Sequence, residues 1–200
     1  MRSKEKKRER ELGAVIKRGW EMIRQGRDQD ALEFLEDACS RFPESAELRM
    51  MLATVYRELR PDDVAEQLAK AAELGADDPM IQVRAGHMLW NEDDLEGARA
   101  CAARASELID NEFALSADLE GLIGRIAARD GEYDFAEEKL RSAARREPEY
   151  STHTVRLARF LWARGRDEDA LAVIDESFDR VRESDKVSLE RLRTEFADGT

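Results

Sequence analysis

Five alanines, Ala31, Ala65, Ala98, Ala136 and Ala170, recur at intervals of 34, 33, 38 and 34 residues, each inside a similar amphipathic segment. Self-similarity at this period marks a repeat architecture. A unit of such length cannot bury its apolar face alone, so copies must stack into a continuous core and leave a long surface for a partner. The unit boundaries expected from the spacing are 11–44, 45–78, 79–110, 111–150 and 151–183, preceded by a basic segment at 1–10 and followed by a closing segment at 184–200.

Aligned on these alanines, the copies agree in detail. Twelve residues before the anchor stand Gly19, Ala53, Gly86, Gly124 and Ala158; seven after it stand Ala38, Ala72, Ala105, Ala143 and Ser177. Glycine inside a helix costs about 1 kcal/mol relative to alanine, so three at one offset require a compensating close approach of two helices. Large apolar residues fill the other inward offsets: Leu52, Ile123 and Leu157; Met22, Tyr56, Leu89 and Leu161; Leu35, Leu140 and Ile174. Small groups on one helix thereby receive large groups from its neighbour.

The turns repeat as well. Gly26, Gly131 and Gly165 fall five before the anchor and lead into acidic stretches, which reads as a glycine stop followed by an aspartate-capped second helix. Pro61 replaces this device in the second unit, and Asn91 to Asp94 supply it in the third. Pro43 and Pro148 stand where second helices should end. Ser45, Asp78 before Pro79, and Ser151 or Thr152 are the candidate caps of the following helices.

Together these residues resemble the tetratricopeptide repeat, a pair of antiparallel helices of about 34 residues with small residues at the helix contact, a mid-unit glycine and a closing proline. The resemblance covers residues 11 to 183. Individual units depart from the family pattern: Arg18 replaces a leucine, Ala127 a common aromatic and Arg60 the usual glycine. The resemblance implies an all-α fold, a right-handed α-solenoid of about five helical hairpins. Leu189, Leu192 and Phe196, at helical spacing before Gly199, resemble the capping helix that covers a last repeat. The 38-residue interval places about four extra residues in 109–118, where Phe113, Leu115 and Leu119 should pack atypically, in a longer helix or a bulging loop.

Composition narrows the function. The net charge of −12 opposes a general nucleic-acid role, because phosphate binding rests on lysine and arginine neutralising the backbone. Only His87 and His153 are available as histidines, and phosphate-loop, HExxH and GxSxG patterns are absent. Asp and Glu are too abundant for any pair to mark a catalytic dyad. Gly121 and Gly124 spell a GxxG, but Gly124 already occupies the small helix-packing offset. Cys39 and Cys101, without clustered spacing, read as buried small hydrophobes. The expected protein is therefore not an enzyme and needs no cofactor or metal. Neither a secretory signal nor a membrane-span pattern is evident, so a cytoplasmic location is the default expectation. The segment MRSKEKKRER carries +4 against about −16 for the rest; it reads as a frayed, solvated helix start, or as a contact for an acidic partner, membrane or nucleic acid.

In the tetratricopeptide family the first helix of each unit lines a concave groove. The corresponding offsets hold Trp20, Thr54, His87, Arg125 and Arg159, then Ile23, Arg57, Trp90, Ala128 and Trp162, with Arg24, Arg84, Arg129 and Arg156 beside them and Glu58 as the one acid. All three tryptophans of an acidic protein thus map to one wall, together with seven arginines. Guanidinium forks pair with carboxylates while indole rings offer flat apolar area. The expected role is an adaptor or accessory subunit that holds another protein or an acidic peptide through Trp20, Arg57, Arg84, His87, Trp90, Arg125, Arg129, Arg156, Arg159 and Trp162. The plainer reading makes the tryptophans core and pairs the arginines with acids of the neighbouring unit. The alternative function is nucleic-acid binding on the same wall, with bases stacked on the rings. A carboxylate clamp of the chaperone-tail type is absent: its first-frame positions hold Ile16, Trp20, Met51, Met80 and Arg84, of which only Arg84 fits, and no later frame restores it. The oligomeric state stays open.

Overall fold

Gly26, Gly131 and Gly165 adopt left-handed backbone, with φ of +66°, +82° and +71°, each closing the turn between two helices. A side chain with a Cβ is strained there, which is why glycine recurs at that offset. In the third repeat Asp93 takes the left-handed position at φ +60°, aspartate being one of the few other residues that tolerate it. The computed structural model describes residues 2–109 and 116–197 and separates into two compact units, Met1–Leu108 and Ile109–Thr200.

The first unit holds three helical hairpins: α1 (Arg2–Arg24) with α2 (Asp28–Arg41), α3 (Ala46–Leu59) with α4 (Val64–Leu74), and α5 (Pro79–Asn91) with α6 (Leu95–Leu108). The second holds two, α7 (Ser116–Asp130) with α8 (Tyr133–Arg146) and α9 (Ser151–Ala163) with α10 (Asp167–Phe178), followed by α11 (Glu183–Ala197). No strand occurs among the described residues. The helices form because apolar residues recur along one face: α2 buries Ala31, Leu32, Leu35, Ala38 and Cys39, a stripe at helical spacing.

Close crossing explains the small residues. A Cβ on Gly19 would stand 2.5 Å from Met51 Cε, and one on Gly124 would stand 2.8 Å from Leu140 Cγ and 3.1 Å from the Ala136 carbonyl oxygen. Ala53, Gly86 and Ala158, at the same offset, are buried. Of the large inward residues only Ile123 is half-buried; the others are buried. Cys39 and Cys101 are free thiols inside the helix contacts. Burial, with a smaller contribution from Asp94, pushes the Cys101 thiol pKa up to about 11.

The second repeat corrects the alignment. Its second helix turns Val64, Leu68 and Ala71 inward, all fully buried, whereas Ala65 and Ala72 are half-buried. The cause is the turn: Arg60 replaces the glycine, and a 3-10 turn at Pro61–Asp63 joins the helices so that the inward anchor falls one residue nearer to Ala53 than its counterparts do in the other units. The anchor of that unit is therefore Val64. Arg60 makes its own contacts, donating from Nη1 to Glu36 Oε1 at 2.8 Å, and the guanidinium of Arg18, another departure, lies 5.0 Å from the Phe34 ring centroid.

Helix caps agree in part. Ser45 Oγ accepts from the Leu48 amide at 3.3 Å, and Asp78 Oδ1 accepts from the amides of Met80 and Ile81 at 2.9 and 3.3 Å. The cap of α9 is Tyr150, with no side-chain bond, rather than Ser151 or Thr152. An aspartate side chain bonds the start of a second helix in the third repeat, where Asp94 Oδ1 accepts from the Gly97 amide at 2.9 Å; Asp63 holds the cap position of α4 without a side-chain bond. In α2 and α10 the cap residues are Arg27 and Arg166; each donates to an aspartate of the first turn, Asp30 and Asp169. Those acids favour the positive end of the helix dipole instead.

The basic segment continues α1. Arg8 Nη2 donates to Glu44 Oε1 at 2.8 Å, and Glu11 pairs with Arg41, so this helix docks along the end of α2. Helix α11 buries Leu189, Leu192 and Phe196 against the core of the second unit, which includes Leu161, Ala170 and Ile174. Leu119 is buried on α7, while Phe113, Leu115 and Gly199 lie outside the described residues.

Candidate partner-binding face

In the first unit, first helices α1, α3 and α5 meet at Glu47, in the first turn of α3. Its Oε1 accepts from Trp20 Nε1 at 3.1 Å and its Oε2 from Arg84 Nη1 at 2.8 Å. The Arg84 guanidinium lies 5.9 Å from the Trp20 ring centroid. Three helices thus contribute one indole, one carboxylate and one guanidinium to a single cluster, half-buried throughout. Arg57, further along α3, donates from Nε to Glu92 Oε1 at 2.9 Å, where Glu92 caps the end of α5. His87 and Trp90 are half-buried on α5 and each makes contacts of its own.

The second unit arranges the same offsets differently. Arg159 of α9 grips Glu195 of α11 with a two-pronged fork, 2.9 and 2.8 Å. One residue on, Phe196 stacks on Trp162 with ring centroids 4.3 Å apart and planes 5° from parallel. Arg156 is sheltered, its side chain 18% exposed, and pairs with Asp118 at 3.5 Å. Gly121 makes room for it: a Cβ there would stand 2.8 Å from Arg156 Nη1. Arg125 on α7 has its pKa lowered to about 10, first by burial and then by the neighbouring charge of Arg156. Arg129 is exposed at the end of α7. Buried His153 points Nε2 at Glu147 Oε2, 3.2 Å away.

Four of the wall arginines therefore pair with carboxylates 35 to 38 residues away, one repeat along the chain. Glu47, Glu92, Asp118 and Glu195, together with Phe196, are the participants that the wall offsets alone do not reveal. Their signal in the sequence is an acid one repeat length from an arginine. Trp162 packs against the core cluster of its unit. Among the described residues no helix is long and apolar enough to cross a membrane.

Two family models, each for the tetratricopeptide repeat, match residues 122–181 and 12–55, together more than half of the 200 residues. The chain belongs to the tetratricopeptide repeat family. Solved tetratricopeptide structures share its fold. Pseudomonas aeruginosa PilF superposes with a TM-score of 0.70 at 20% identity, covering 96% of this chain and 86% of that one. PilW, a widely conserved type IV pilus biogenesis factor, gives 0.72 at 18%, with 92% and 90% covered. A thermophilic tetratricopeptide protein of Thermus thermophilus gives 0.69 at 21%, with 94% and 97% covered. At these identities the likeness is one of fold. No curated protein matches the sequence. Tetratricopeptide arrays are typically non-enzymatic scaffolds for protein contact.

Proposed function

We propose that this scaffold holds an acidic, aromatic-bearing helix or peptide of a partner protein on its first-helix face, as an adaptor or accessory subunit without catalysis of its own. One observation carries the reading. The wall positions of α9 already hold such a segment in cis, with Glu195 in the fork of Arg159 and the adjacent Phe196 on the Trp162 ring. Carboxylate and aromatic ring, side by side on one helix, are the ligand chemistry that arginine beside tryptophan accepts.

In the first unit the matching groups are Trp20, Arg57, Arg84, His87 and Trp90. Glu47 and Glu92 hold the arginines in place, and an incoming carboxylate would compete for the same guanidinium donors. In the second unit Arg125 and Arg156 repel each other in a partly desolvated setting, a cost that an acidic group beside them, or near Arg129, would relieve.

The test is co-purification from native cells with the intact chain and with Arg57→Glu/Arg84→Glu. Both side chains are more than a third exposed, so the double reversal should leave far-UV circular dichroism unchanged and abolish capture of the partner. Full capture by the reversed chain would refute the assignment of this face. A steep log-linear loss of binding with salt, with nucleic acid as the captured species, would refute the protein partner.

A further inference from the structure

The second unit carries a pocket on another side of its hairpins, among α8, α9 and α10, with a volume of about 270 Å³. Its floor is apolar: Leu157 of α9, Val173 of α10 and Ala144 of α8. Its rim is cationic, formed by Arg141, Arg145 and Arg180 with Glu176 as the single acid. In a chain of net charge −12 this is a local reversal of sign.

What separates these arginines from those of the first-helix face is their pairing. Arg141 is committed through Nε to Glu137 at 2.8 Å. Arg145 makes no hydrogen bond or ion pair among the described residues, and Arg180 spends Nε on the Glu176 backbone carbonyl at 2.9 Å without reaching a carboxylate. Both stand at the carboxyl ends of helices, where the dipole favours a cation; that accounts for their charge but not for an apolar hollow between them. Ser177 adds a hydroxyl. Its Oγ accepts from Thr154 Oγ1 at 3.0 Å, which leaves its own proton to donate.

The volume decides the size of the occupant. Small-molecule and cofactor sites span roughly 300–1,000 Å³, so this pocket has room for about one residue rather than a nucleotide. We propose that it is a second binding site, for an apolar side chain that carries a carboxylate next to it, as at the end of a peptide chain or beside a glutamate. The side chain lies on Leu157 and Val173, and the carboxylate takes the unpaired donors of Arg145 and Arg180. Neither group belongs to the first-helix face, so this site stands or falls apart from the adaptor reading.

Three short acetylated peptides test it by NMR titration of the full chain. One ends in leucine with a free carboxylate, one is the same peptide as an amide, and one is amidated with a glutamate before the leucine. Either acid should shift the methyl signals of Leu157 and Val173 saturably, and which one does so identifies the source of the carboxylate; the neutral amide should bind at least about tenfold more weakly. Arg145→Ala/Arg180→Ala should lose about tenfold in affinity while keeping its melting temperature, and Ala144→Leu, which fills the floor, should block binding with both arginines present. Equal binding of amide and acid, methyl signals that neither acid moves, or undiminished binding by both variants would overturn the site.

Discussion

Each unit builds a first-helix face from the same set of offsets, and the two faces end differently. In the Met1–Leu108 unit, Trp20 and Arg84 converge on Glu47, a side chain supplied by the face itself. In the Ile109–Thr200 unit, Arg159 and Trp162 are engaged by Glu195 and Phe196 of α11, a helix outside the repeats. The contrast teaches that arginine beside tryptophan does not by itself define a vacant site. The same chemistry seals the last repeat with a helix of the chain itself, and in the first unit it is the proposed receptor of a separate helix.

Deleting the seal should give the largest effect. Phe196→Ala removes a buried aromatic and its stacking on Trp162, at about 3–5 kcal/mol, seen as a clear fall in the denaturant midpoint. Trp20→Ala, at a half-buried position, should cost distinctly less; equal losses would erase the distinction between the two halves. Gly124→Val drives a side chain into Leu140 and the Ala136 carbonyl and should cost about 1–3 kcal/mol, measured by thermal unfolding. Removing the carboxylates sharpens the comparison further. Glu47→Ala leaves both the Trp20 indole and Arg84 without their acceptor, for about 1 kcal/mol or somewhat more, whereas Glu195→Ala breaks a more exposed pair worth less than about 1 kcal/mol.

The smallest expected effect is on acid stability. Burial raises the Glu137 carboxyl, but hydrogen bonds from Arg141 and Arg166 outweigh it and hold the group below its ordinary value. A depressed carboxylate contributes stability above the unfolded-state value and loses it as pH falls through the folded one. Melting temperature should therefore drop below about pH 4, and Glu137→Gln should flatten that drop. An unaltered acid limb in the variant would remove Glu137 from the explanation.

Much of the fold was legible because close packing leaves few choices. Gly19 and Gly124 recur where helices cross, with Gly86 buried at the same offset, and Gly26, Gly131 and Gly165 where the backbone turns left-handed. The misreading of Ala65 has a physical source: alanine is abundant in helices, and the 3-10 turn at Pro61 slides the inward face by one residue while changing the repeat intervals by only one. Aspartates after the glycine stop look like caps in sequence, yet most sit one or more residues inside the helix, where charge rather than a cap bond makes them favourable. The face was legible as a set of offsets. Its internal partners were not, because an exposed acid one repeat away is indistinguishable from dozens of solvated ones until side chains are placed.

Three indole signals offer the most direct measurement. A synthetic peptide of residues 183–197, which bears the same glutamate and phenylalanine that α11 offers to Arg159 and Trp162, is titrated onto the nitrogen-labelled full chain. Saturable movement of the Trp20 and Trp90 indole resonances, with Trp162 held still by its own Phe196, is the predicted result. Movement of none of the three, or of Trp162 alone, would contradict a first-helix face that receives acidic, aromatic-bearing helices.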